Sequence, residues 1–105
     1  MEILQSDWQL FRAKLPEWQE EYMEKLIIEY SAILKEEKPA SEKFWEMESR
    51  INEDKHKPGV IIEMRRSEMI NNIIALLNDN VISLDDLSDF SEELKETVYF
   101  FLRRS

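Results

Sequence analysis

The sequence predicts an all-α fold, a compact bundle of four to five helices in a single domain covering 1–105. Three observations carry this. Gly occurs once and Pro three times in 105 residues, too few for the tight turns of an all-β chain. Apolar residues recur at steps of three and four over long stretches. Ser or Asp stands before each of several of those stretches, where helix caps belong.

The first pattern runs through Trp8, Phe11, Leu15, Trp18, Tyr22, Leu26, Tyr30 and Ile33. Ser6 and Gln9 have capping-box spacing ahead of it. Pro16 lacks an N–H and clashes with the preceding turn, so a break or kink is expected there. The spacing therefore predicts helices over about 7–14 and 16–36, with the acids Glu17, Glu20 and Glu21 suiting a fresh N-terminus after Pro16. Met23, Ile27 and Leu34 widen the apolar stripe to about half the circumference, so it must meet more than one neighbour.

Ser41 is expected to cap a helix over about 42–56, with Phe44, Met47 and Ile51 inward and Trp45 beside them. Lys57-Pro58-Gly59 is the clearest turn. A helix over about 60–78 follows, its apolar face running from Met69 to Leu77. Continued backward, that face carries Glu63 and Arg66. Either the helix enters the core only from Met69, or those two form a partly buried ion pair. Asn78-Asp79-Asn80 ends it.

Ser83 with Asp86, and Asp89 with Glu92, repeat the capping-box offset. They predict a short helical turn at 84–88 and a final helix from about 90 to 103, the two together filling 84–103. Val98 to Leu102 is apolar nearly all round, so Phe101 and Leu102 are expected in the core. Tyr99 or Phe100 is expected against the first helix or a second subunit.

Composition excludes many activities. With no Cys, there are no disulfides, thiol nucleophiles or Cys-based zinc sites. One Gly cannot build a phosphate-binding loop, and one His, His56, cannot serve a scheme that needs two. The net charge of −9 is spread along the chain and disfavours nucleic acid, whose binding rests on Lys and Arg at phosphates. The longest apolar runs, 73–77 and 98–102, have five residues each, against about 20 for a membrane span. The opening lacks the basic and apolar regions of a signal peptide, so a cytoplasmic location is expected.

Glu20, Glu21 and Glu24 form E-E-x-x-E, which resembles the first magnesium-binding motif of all-α nucleotide pyrophosphohydrolases of the MazG type. The second motif of that family, E-x-x-D on the next helix, is missing, and the glutamates lie opposite the apolar stripe. No catalytic, cofactor or metal residue is therefore assigned. Taken whole, the chain is similar to a family of short uncharacterised proteins of streptococci and other Firmicutes. The similarity rests on the opening 1–11, on Lys43-Phe44-Trp45 with Lys57-Pro58-Gly59-Val60, and on 85–95. Members often carry the label "multidrug transporter", which the lack of a spanning run contradicts for this chain. The resemblance implies no site residues.

The sequence thus predicts a non-enzymatic protein-interaction module with an unidentified protein partner or a second copy as a homodimer. Ile28, isolated among acids, and Tyr99 and Phe100 are its candidate interaction surface. A metal-dependent nucleotide hydrolase using Glu20, Glu21 and Glu24 is the enzymatic alternative. An acidic, inhibitor-like or antitoxin-like binder of a basic protein is another. A carboxylate-lined cleft would favour the enzyme; a flat apolar patch rimmed by acids would favour a binder.

Overall fold

The computed structural model describes residues 2–104. Among these, four α-helices and two short 3-10 turns account for all regular structure: α1 (Gln5–Leu34), α2 (Ala40–Asp54), a turn at Arg66–Glu68, α3 (Met69–Asn78), a turn at Leu84–Leu87 and α4 (Glu92–Leu102). The bundle is all-α, as the periodicity predicts.

The core is one-sided along the chain. Phe11, Leu15 and Trp18 from the first half of α1 meet Met69, Ile73 and Leu76 of α3, and Leu94 and Val98 of α4. Leu87 and Phe90 close the cluster from the connecting segment. Aromatic rings run through it: Trp8 stacks near Phe11, Phe11 meets Trp18 edge-on, and Trp18 lies 6.4 Å from Phe90. The second half of α1 leaves this head and pairs with α2 and with the turn that follows it. A 30-residue helix is about 45 Å long, longer than such a head is wide. The molecule accordingly measures 54 × 28 × 22 Å, with a radius of gyration of 16.7 Å against about 13 Å for a spherical domain of this size.

Pro16 does not break the first helix. α1 is continuous from Gln5 to Leu34, not two helices over 7–14 and 16–36. Pro16 costs the helix one hydrogen bond, to the carbonyl of Arg12. Both residues face solvent, where water replaces it, while Leu15 and Trp18 on the other side are buried and hold the helix across the gap. Ser6 does not cap this helix: Leu4 occupies the cap position, and Trp8 N–H donates to its carbonyl at 3.1 Å.

The expected helix over 60–78 is shorter. Residues 61–65 are non-helical, and α3 begins at Met69, the first of the two arrangements the sequence allowed. Glu63 pairs with Arg65 at 2.7 Å in solvent. Arg66 reaches instead to the Gln5 side chain and the Ile3 carbonyl, pinning the start of the chain. The end of α3 falls where expected. Asn80 takes a left-handed φ of 57°, Val81 N–H donates to the Leu76 carbonyl at 2.9 Å and Asn80 N–H to that of Leu77 at 3.1 Å. This is a Schellman ending, with Asn in the position Gly usually takes.

The capping box of Ser83 and Asp86 forms as predicted. For α4 the cap is Ser91 and not Asp89: its Oγ accepts from Leu94 N–H at 3.1 Å, whereas Asp89 pairs with Lys14 at 3.7 Å. Ser41 likewise lies inside α2, whose cap position is Pro39. The final helix also differs in its burial. Leu94 and Val98 are fully buried, but Phe101 is 46% exposed, and Leu102 is only partly covered. The last turn of α4 is covered on one side: Leu102 packs against the core cluster, and Phe101 shares a depression with Ile3, Ile70 and Asn71.

Candidate functional site

Ile27, Leu34, Phe44, Trp45 and Ile51, all strongly exposed, lie together on the α1–α2 hairpin. The hairpin is held from one side by a polar cluster. Asp54, 1% exposed, accepts the Tyr30 hydroxyl at 2.6 Å on Oδ2 and faces the Lys57 ammonium at 3.1 Å on Oδ1. Arg50 Nη2 lies 3.5 Å from Asp54 Oδ2 and 3.3 Å from a Glu29 oxygen, with its guanidinium 5.5 Å from the Tyr30 ring centre. Burial pushes the Tyr30 hydroxyl up to about 12, and its hydrogen bond to Asp54 adds to the shift. Burial by itself would raise the Asp54 carboxyl, but the Tyr30 and Lys57 contacts and the charge of Arg50 outweigh it and hold it below the ordinary value.

The turn after α2 closes this side. Gln19 Nε2 donates to the Pro58 carbonyl at 3.0 Å. Gly59 lies flat on the Tyr22 ring, where an added Cβ would stand 2.3–2.7 Å from three ring atoms. Gly is needed here for room.

The adjoining side of the same hairpin is uncovered. Met23, Ile27 and Tyr30 of α1 face Ile51 and Val60 across a depression of about 150 Å³, with Asp54 and Lys55 at its edge. Ile51 also lines a second depression of about 370 Å³, with Leu34, Phe44, Met47, Glu48 and Asn52. The two depressions adjoin at Ile51 along the helix seam and are together termed the groove. Phe44 and Trp45 pack edge-to-face at 5.0 Å on its margin and are 65% and 62% exposed.

These residues overturn an expectation. Phe44 and Ile51 were predicted inward with Trp45 beside them; all three are exposed, and Met47 is only partly buried. A pair of helices buries the seam between them and nothing more, and no third helix reaches this end of α1. The stripe on α1 did carry a signal, since half a circumference of apolar residues calls for a second neighbour that the chain does not supply.

The sequence-derived candidates lie elsewhere. Ile28 is 70% exposed on α1 but does not line the groove. Tyr99 and Phe100 are partly exposed on α4, where Phe100 lies under Arg104 at 4.6 Å and beside Glu93 and Glu96. The neighbouring Phe101 shares a depression with Ile3. Ile28 is 25 residues beyond Ile3, most of them helical, or roughly 35 Å along α1. The three candidates therefore do not form one surface. Glu20, Glu21 and Glu24 are exposed on α1, and no group of three His, Asp or Glu among the described residues converges on a metal-sized site. His56 is exposed after α2.

Sequence reasoning also missed Asp7, which is 3% exposed. Its carboxylate accepts from Ser91 N–H at 2.9 Å and from Ser91 Oγ at 2.6 Å, locking the start of α1 to the cap of α4. Hydrogen bonds to a charged group contribute about 1.5–3 kcal/mol, so this is a structural anchor. Among the described residues, no helix is long and apolar enough to cross a membrane. Set against family models, curated proteins and solved structures, the chain matches none.

Proposed function

We propose that this protein is a non-enzymatic interaction module that binds another protein through the apolar groove of the α1–α2 hairpin. One observation carries the reading: Ile27, Leu34, Phe44, Trp45 and Ile51 are each about half exposed or more, all at one end of the molecule. Apolar side chains scattered singly over a surface need no explanation; a contiguous set marks an interaction site. The head has its own core and does not use these residues.

The test separates binding from folding. Ile27→Glu with Phe44→Glu should leave the melting temperature within a few degrees of wild type, because both positions are already in water. The same pair should abolish the associations that wild-type protein forms in a native extract, read by quantitative cross-linking. A large fall in melting temperature would make the face structural. Unchanged association would place binding elsewhere.

A further inference from the structure

Resting on that reading, we propose that the occupant of the groove is a basic amphipathic helix, with apolar residues at i, i+3 or i+4, and i+7 and Lys or Arg on its flanks. The groove has the dimensions of such a ligand. From Met23 to Leu34 it covers twelve residues of α1, a rise of about 16 Å, or three turns of a helix laid alongside. Its floor is two helical rows: Met23, Ile27, Tyr30 and Leu34 at steps of four, three and four, and Phe44, Met47 and Ile51 at steps of three and four. A third helix packing into this seam meets ridges at the spacing of its own.

Charge selects the flanks. Glu48 lines the groove itself between Phe44 and Ile51. Glu24 and Glu20 stand one and two turns before Ile27 on α1, and both are exposed. Lys55 is the cation at the lining, and Lys43, whose Nζ donates to the Leu34 carbonyl at 3.2 Å, adds another at the far end, so the acidic flank is the one on the side of Glu20 and Glu24. The whole chain carries −9, so a cationic segment is drawn in at long range as well.

The same charge disfavours a second copy. A twofold partner would bring −9 against −9.

The experiment uses the full chain and three labelled 18-residue peptides, followed by fluorescence anisotropy. The first has Leu or Phe at i, i+4, i+7 and i+11 with Lys and Arg flanks. The second keeps that row with Glu flanks. The third keeps the cations and scrambles the row. The proposal expects saturable one-to-one binding of the first peptide alone. It expects at least tenfold weakening by Ile27→Glu with Phe44→Glu. Replacing Glu20, Glu24 and Glu48 by Gln, a change confined to surface charge, should weaken binding several-fold and flatten its salt dependence. Equal binding of the second or third peptide, no binding of the first, or indifference to the groove substitutions overturns it. A dimer in sedimentation that Ile27→Glu dissolves also overturns the helix as occupant, while leaving the hairpin face as the interaction site. Loss of that broader reading has a different outcome: extract associations that survive Ile27→Glu with Phe44→Glu.

Discussion

At the scale of residues, two buried carboxylates, Asp7 and Asp54, tie elements together although a composition count treats them as surface charge. Asp54 and Tyr30 make a titratable prediction. Asp54 titrates below its ordinary 3.8, so its contribution is present above that value and is lost as pH falls through the depressed one. Tyr30 is raised from 10.0 to about 12, so its contribution is complete below pH 10 and disappears as pH climbs toward 12. Wild-type melting temperature should therefore decline at both extremes. In Tyr30→Phe the decline between pH 10 and 12 should shrink, at a cost of about 1–3 kcal/mol at neutral pH for the buried acceptor left short of a donor. Thermal melts across pH check both arms; an unchanged alkaline limb would show that the hydroxyl does not matter. Neither contact is legible in the sequence, because Tyr30 and Asp54 are 24 residues apart and the bond exists only after α2 folds back.

At the scale of elements, long periodic segments were legible and their ends were not. Steps of three and four located all four helices, but side chains at a distance set the boundaries. Pro16 is absorbed because Leu15 and Trp18 hold α1 to the head. Arg66 leaves the helical face for Gln5 and Ile3, and α3 shortens accordingly. α4 gives the sharpest contrast. A fully buried aromatic such as Phe11 should cost about 3–5 kcal/mol when cut to Ala. Phe101, expected in the core from its apolar neighbourhood, is 46% exposed, and Phe101→Ala should cost less than about 1.5 kcal/mol. Urea unfolding of the two variants measures the difference, and equal losses would mean that the last turn of α4 is packed after all.

For the whole molecule, the division between a head with a core and a projecting hairpin governs both dynamics and binding. Regions with few buried apolar contacts open first. Amide exchange should therefore be slowest in α3 and around Phe11 to Trp18, and faster by at least tenfold in α2 and the end of α1. Binding of a groove ligand should slow exchange in the hairpin alone. Uniform protection along α1 would mean that hairpin and head open together.

The sequence by itself determined the class, the location of the long helical segments and the apolar face of each, but not whether Pro16 divides the first. These follow from local spacing, cap residues and the scarcity of Gly, all of which act within a few residues along the chain. It also determined the charge of −9 that any partner must meet. Only the tertiary structure decided which apolar faces find a neighbour. Phe11 and Phe44 stand at equally good helical positions, yet one is fully buried and the other 65% exposed. Periodicity states that a face is apolar. Whether water is removed from it depends on where the other helices end, and α3 and α4 are too short to follow α1 to its tip.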